Sequence, residues 1–405
     1  MLGDKRLIKT ITLHNFLSFG PSSSEIELKS LNVLIGQNAS GKSNLIEAIG
    51  LLRAAATDIT VPIREGGGVA EWLWKGGERA PIAEIDATVF YEKGIMPLRH
   101  KISFTMEGQR FALVDEAVEN EHPEYMTATD VRFFYRYRHG NPVLSVAGAP
   151  SKTTLENRSQ RQLRREDLPV NQSVLSARKD PDQYPEITYL GEQYKNIRLY
   201  REWNLGRYTP PRLPQKADLP EDFLLEDASN LGLILNDLEH QPGLRDVLLK
   251  KLKAFYEPLV DLSIKVHGGT VQIFLHESGL KKPIPATRLS DGTLRYLCLI
   301  AILCHPSPPP LICIEEPELG LHPDILPDIA TLLVEASHRT QLIVTTHSDI
   351  LVDALTDNPE AVAVVDKVDG STTMERLSKE RLSAWLEKYP LGQLWRRGEV
   401  GGNRW

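Results

Sequence analysis

Long hydrophobic runs are missing from this 405-residue chain. No stretch approaches the roughly 18 consecutive apolar residues of a membrane-spanning helix, which excludes that class. Met1 to Phe16 alternates charged and apolar residues and lacks a long apolar core, so a secretory signal is not expected. Cysteine is scarce: Cys298, Cys304 and Cys313 are the only three. Three is odd, a chain of this size needs no disulfide framework, and no second Cys or His pair sits at zinc spacing. The expectation is buried core thiols in a reducing cytoplasm. Compositional extremes are absent too. With 41% hydrophobic and 25% charged residues, wholesale disorder and collagen-like repeats are excluded. No internal repeat is visible, and the length admits two or three domains, or one domain with a large insertion.

Charge of one sign is unevenly placed. The formal net charge is −7. Between Arg132 and Arg212 there are 15 Lys+Arg and 8 Asp+Glu, a net of +7, so the rest of the chain carries −14. A pI of 5.9 argues against general nucleic-acid affinity but leaves room for a local basic site.

Residues 7–19 alternate at period two and read as a strand, and 25–35 as a strand pair ending in the apolar run Leu31 to Ile35. A helix is expected over Ser43–Ala56. The alternating segments 82–90 and 98–106, split by Lys93-Gly94, suggest a hairpin. After about residue 116 the character changes, with ten prolines between 116 and 222, and Arg207 to Asp222 looks like an extended linker. Periodicity returns at Phe223. Two helices are expected over 223–256, broken at Gln241-Pro242-Gly243. Strands at 262–267 and 271–276, a helix over 294–303, a buried strand at 311–314, a helix over 325–337 and a buried strand at 341–345 follow.

Gly36-Gln37-Asn38-Ala39-Ser40-Gly41-Lys42-Ser43 fits the pattern G-x-x-x-x-G-K-[ST], between a buried strand and a helix. Glycines let backbone N–H groups turn toward a β-phosphate, and the helix N-terminus adds partial positive charge. Lys42 can reach the β- and γ-phosphates, and the Ser43 hydroxyl can ligate Mg²⁺. Gly36, Asn38, Gly41, Lys42, Ser43 and Asn44 are therefore candidate nucleotide contacts. Leu311 to Glu316 is an apolar strand ending in two carboxylates. Beside a phosphate loop, Glu315 can hold the metal's hydration shell and Glu316 can polarise an attacking water; otherwise they are solvated glutamates at a strand end. Ser290, before the helix from Leu294, is either an ordinary N-cap or part of a second phosphate site. His347 follows a buried strand, where it can contact a γ-phosphate or serve structure alone.

Order and spacing carry more than any single motif. Lys42 and Ser290 are 248 residues apart, Glu316 follows Ser290 by 26, and His347 follows Glu316 by 31. Here the sequence resembles the ABC-type ATPases, in particular their RecF/SMC-like branch, over roughly 1–115 and 223–405. Leu289-Ser290-Asp291-Gly292-Thr293 is similar to the family's signature, Ile314-Glu315-Glu316-Pro317-Glu318 to its Walker B strand, and Thr346-His347-Ser348 to its H-loop. The resemblance implies an α/β P-loop NTPase fold: an ABC-type head built from lobes 1–115 and 223–405, with a mixed α+β insertion at 116–222. It also implies ATP and Mg²⁺ as cofactors, Lys42 and Ser43 on the phosphates and metal, Glu315 near the metal where the family usually has aspartate, Glu316 as catalytic base, and His347 as γ-phosphate sensor. Ser290 and Gly292 would contact a nucleotide held by a second subunit, so a homodimer sandwiching ATP is expected. Asp291 replaces a glycine of that signature and either approaches a phosphate or points away.

The insertion excludes a long coiled-coil arm, because no heptad pattern runs through its prolines. Only 58 residues follow His347, too few for the last ATPase strands plus a nuclease domain, so no nuclease is expected in this chain. Arg132–Arg212 interleaves basic and aromatic residues: Phe133 to Arg138, Arg158, Arg161, Arg164, Arg165, Tyr194, Lys195, Arg198, Tyr200, Arg201 and Trp203. DNA or RNA contact, an acidic protein partner, and a solvated face over core aromatics all fit this pattern. The tail has an expected helix around 380–388, then Leu391 to Trp395, and ends in Trp405, a packing residue or a docking peptide. The layout is similar to predicted ATPases of prokaryotic defence loci, which implies a cytoplasmic sensor or scaffold that controls a separate effector, commonly a nuclease. A RecF-like repair ATPase that binds DNA and a P-loop small-molecule kinase are the competing functions.

Overall fold

The structure, a computed structural model, describes residues 6–22, 24–77, 80–123, 131–138, 141–147, 158–162 and 169–402. Arg164, Arg165 and Trp405 fall outside the described residues, as do the side chains of Arg138, Arg158 and Arg161. The chain forms two compact units. One holds Arg6–Ile197 and Ala363–Arg376, the other Arg198–Val362 and Leu377–Glu399. The stretch 116–222 is thus divided at Ile197.

In the first unit an eight-stranded sheet runs in the order Ile26–Glu27, Ile8–His14, Ala83–Val89, Leu98–Glu107, Arg110–Asn120, Phe133–Arg138, Asn141–Ala147, Arg158–Gln162. Every neighbouring pair is antiparallel. Alternation in the sequence becomes alternation of burial: Ile11, Leu13, Ile85, Ala87 and Ile102 are fully buried. The strands beyond residue 116 extend this sheet, because Arg110–Asn120 offers its free edge to Phe133–Arg138. The helix Lys42–Ala55 follows the buried strand Leu31–Ile35. Helices Val174–Ala177 and Pro185–Lys195 pack against it. Ser173 caps the first of these through Leu175 N–H, and Pro185 opens the second where its missing N–H costs nothing. Beside Leu31–Ile35 lies the antiparallel pair Val362–Val368 and Ser371–Arg376.

In the second unit three parallel strands lie in the order Arg198–Tyr200, Leu311–Glu315, Gln341–Thr345, with Tyr200 opposite Ile314 and Glu315 opposite Thr345. The last two are apolar over Leu311–Ile314 and Leu342–Val344 because both faces are covered, as parallel sheets require. Helix Asp291–Leu303 buries every residue from Leu294 to Leu303, and Leu326–Ser337 packs on it. Helices Leu231–His240 and Leu244–Phe255 fall on either side of the predicted break. Strands Leu259–His267 and Thr270–Glu277 form an antiparallel pair with Gln215–Lys216 at one edge. The expected linker is therefore an ordered part of the unit. Its Arg212 is buried and donates to the carbonyl of Leu205 at 2.8 Å. In the tail, Leu391–Arg396 docks on Asp349–Asp353. Trp395 is fully buried there, Gln393 N–H donates to Asp353 Oδ1 at 3.0 Å, and Arg396 pairs with Asp349 at 3.0 Å. Among the described residues, no helix is long and apolar enough to cross a membrane.

Candidate functional site: a phosphate loop and a carboxylate pair

The phosphate loop lies in the first unit. Gly41 ends it at φ 108 and begins the helix, which has no side-chain cap. A β-carbon there would strike the Thr372 and Ser18 hydroxyls, so the position demands glycine on both conformational and steric grounds. Thr372 fastens the loop from the outside: its hydroxyl bonds the Ser40 carbonyl at 2.7 Å and the Ser18 hydroxyl at 2.6 Å. Asn44 reaches the same hydroxyl at 2.6 Å. Asn44 thus braces the loop through its neighbours, and Ser18 and Thr372 are supports that no sequence pattern flagged. Lys42 is buried and folds its ammonium back over the loop, donating to the carbonyls of Gly36 at 2.9 Å and Gln37 at 2.7 Å. Asn38 and Ser43 are exposed. The Ser40 hydroxyl is buried with no hydrogen-bond partner among the described residues, a polar atom that a phosphate oxygen would satisfy.

The carboxylates, signature and His347 lie in the second unit. Glu315 ends its strand with Oε1 3.3 Å from Nε of Arg201, an ion pair without hydrogen-bond alignment. Glu316 turns the chain sharply with φ 47. Its carboxylate Oε1 lies 3.7 Å from Nε2 of His347, and both side chains are about one-third exposed (37% and 36%). The expected base and the expected sensor therefore face one another, open to solvent. Glu318, at the end of the Walker B-like segment, ties the two loops together. Its Oε1 accepts the Thr346 hydroxyl and the His347 backbone N–H, each at 2.8 Å. Burial pushes its carboxyl above the usual carboxylate range, against those hydrogen bonds, and its Oε2 is buried without a partner among the described residues.

Ser290 caps the signature helix, its hydroxyl accepting Thr293 N–H at 3.0 Å. Asp291 is settled by Arg212, whose guanidinium pairs with its carboxylate. The negative charge that replaces a glycine of the signature is thus neutralised within the chain. Gly292 lies so close to the following loop that a β-carbon would meet the Gly320 carbonyl oxygen at 2.5 Å.

Among the described residues of the basic–aromatic stretch, most of the named aromatics are interior, while Arg132 and Lys195 are exposed. Phe134, Tyr135, Tyr137, Tyr194 and Tyr200 are buried. Arg136 pairs with Glu119 at 3.0 Å and covers Phe133, and Arg198 lies 4.0 Å over Phe223. Arg201 and Trp203 belong to the carboxylate pair, Trp203 donating its indole N–H to the Glu315 carbonyl at 3.0 Å.

A strand–loop–helix phosphate cradle in one unit, and strand-borne carboxylates with a capped signature helix in the other, define a P-loop ATPase fold of the ABC type. The family model described as "AAA domain, putative AbiEii toxin, Type IV TA system" matches residues 31–353, and the chain belongs to that family. Among solved structures, the Smc head bound to the C-winged helix domain of ScpA is 16% identical. The match covers 93% of this chain and 99% of that one, with a TM-score of 0.53. The Smc head with an extended coiled coil bound to the C-terminal domain of ScpA, from Pyrococcus furiosus, is 14% identical, covering 94% and 99%, with a TM-score of 0.51. At such identities these likenesses concern the fold. No curated protein sequence matches the chain.

Proposed function

We propose that the protein is an ATP hydrolase that dimerises around ATP and uses hydrolysis as a conformational switch. The observation that carries this reading is the facing pair Glu316–His347, with Glu315 one residue before it at the strand end. Glu316 polarises the attacking water, and His347 senses the γ-phosphate. Gly36, Asn38, Gly41, Lys42 and Ser43 hold the phosphates, and Asn44 braces the loop. The exposed Ser43 hydroxyl and Glu315 hold Mg²⁺, which needs only one or two protein ligands when it arrives on phosphates. When bound, the metal neutralises charge developing on the phosphoryl oxygens. Ser290 and Gly292 present the signature helix to the nucleotide of a second copy, so loss of the γ-phosphate loosens the dimer.

The protein acts in the cytoplasm as a sensor or scaffold of an antiviral defence system and controls a separate effector protein, a nuclease. The family's description, which names a putative AbiEii toxin and a type IV TA system, supports that role. Burial of Phe134, Tyr135, Tyr137, Tyr194 and Tyr200 takes those rings away from base stacking, which supports a protein effector over nucleic acid as the partner. A Glu316→Gln variant should bind ATP, release little phosphate, and elute as a dimer at saturating ATP. A variant that stays monomeric, or hydrolyses at the wild-type rate, sinks the reading. Phosphate release without a phosphorylated acceptor separates an ATPase from a kinase.

A further inference from the structure

Trp203 and Arg295 lie outside the nucleotide-binding motifs, yet both bond to the backbone of the carboxylate pair. Trp203 follows the strand Arg198–Tyr200, which runs beside Leu311–Glu315. Its indole Nε1 donates to the Glu315 carbonyl at 3.0 Å. The next residue, Glu316, has φ 47, a left-handed conformation that a residue with a β-carbon rarely adopts unaided. Its surroundings supply the aid. Glu316 N–H donates to the Thr345 carbonyl at 3.0 Å. Its carbonyl accepts the Leu319 N–H at 3.2 Å and Nη1 of Arg295 at 3.2 Å. Arg295 is buried on the signature helix, and its guanidinium lies 5.0 Å from the centre of the Trp203 ring. Tyr200 stacks near the same indole, ring centres 6.1 Å apart. One brace of indole and guanidinium therefore holds the carbonyls on both sides of the Glu316 α-carbon.

We propose that Trp203 and Arg295 are positioning residues for Glu316, fixing the left-handed turn that aims its carboxylate toward His347. The inference rests on the reading of Glu316 as the water-polarising group. Because Arg295 belongs to the signature helix, the same brace ties that helix to the carboxylate.

The test uses the full chain, with Trp203→Phe, which keeps the ring under Arg295 and removes the N–H, and Arg295→Met. Each is made alone and in the Glu316→Gln background. Phosphate release gives kcat and KM, a fluorescent ATP analogue gives affinity, and thermal unfolding reports folding. Each single variant should lower kcat about tenfold, as small misplacements of a catalytic group do, with KM and analogue affinity within about twofold of wild type. Neither should lower the residual rate of Glu316→Gln further, because a residue acting through Glu316 has nothing left to position. An unchanged kcat, or the same tenfold fall repeated in the Glu316→Gln background, overturns the inference. If Trp203→Phe fails to fold, Arg295→Met carries the same comparison. Wild-type turnover by Glu316→Gln alone is a different failure, that of the functional reading beneath the inference.

Discussion

The backbone N–H of His347 donates to Oε1 of Glu318 at 2.8 Å, so the loop after strand Gln341–Thr345 is tied to the loop after strand Leu311–Glu315. The same oxygen takes the Thr346 hydroxyl. Removing the carboxylate leaves two donors without their acceptor, at a cost of about 1–3 kcal/mol for buried groups. It also frees His347 from its place 3.7 Å from Glu316. Glu318→Ala should therefore lower the melting temperature by several degrees and phosphate release by at least about tenfold. Glu318→Gln, which keeps the accepting oxygen, should retain most of the stability. Equal losses in both variants would show that the charge matters and the tether does not.

Glu318 also predicts a pH dependence. Burial raises its carboxyl pKa above the ordinary carboxylate range. The folded state then holds a proton where the unfolded chain has released it, so this group's contribution is fully favourable below the ordinary range. It is lost as pH rises through the raised value. Denaturant unfolding followed upward in pH from the ordinary carboxylate range should show wild type losing stability relative to Glu318→Gln. Parallel curves for the two proteins would exclude the effect.

The cysteines offer a check on the core. Burial pushes the Cys298 thiol up to about 12, and Cys313 lies in the buried strand Leu311–Glu315. Thiolate is the reactive form. Native protein at pH 8 should leave both unmodified by a thiol reagent and label slowly at Cys304, which is only half-buried, while all three label in denaturant. Rapid native labelling of Cys298 would contradict the packing of helix Asp291–Leu303.

Much of the ATPase framework was legible because each part is local. The phosphate loop, the strand Leu311–Glu315 and the break at Gln241-Pro242-Gly243 follow from a few adjacent residues. What was not legible depends on distant partners. Tyr200, Arg201 and Trp203 form an ordinary basic–aromatic run in sequence, and only the pairing of Tyr200 with Ile314 brings them beside Glu315. Arg212 sits among prolines that suggest a linker, yet it finds Asp291 79 residues later. Glu318 ends the Walker B-like segment with no role of its own in the sequence until Thr346 and His347 arrive 28 and 29 residues on. Periodicity reports burial of a face; it carries no information on which polar groups meet across the fold.

Gly292 provides the sharpest steric prediction. A β-carbon there would lie 2.5 Å from the Gly320 carbonyl oxygen, closer than van der Waals contact permits, and the obstacle is backbone. The methyl of Gly292→Ala therefore has to move either the start of the signature helix or the loop after Glu316. Alanine is otherwise the better helix former by up to about 1 kcal/mol, so propensity favours the substitution while packing opposes it. Overpacking costs typically about 1–3 kcal/mol, and packing should win. Gly292→Ala should melt a few degrees below wild type. It should also lose ATP-dependent dimerisation by more than its stability loss explains, because the displaced helix start carries the Ser290 cap. Melting by calorimetry and dimer formation by size-exclusion chromatography at saturating ATP measure the two effects separately. A variant more stable than wild type would mean that propensity outweighs the contact and that the approach of Gly292 to Gly320 is not constrained.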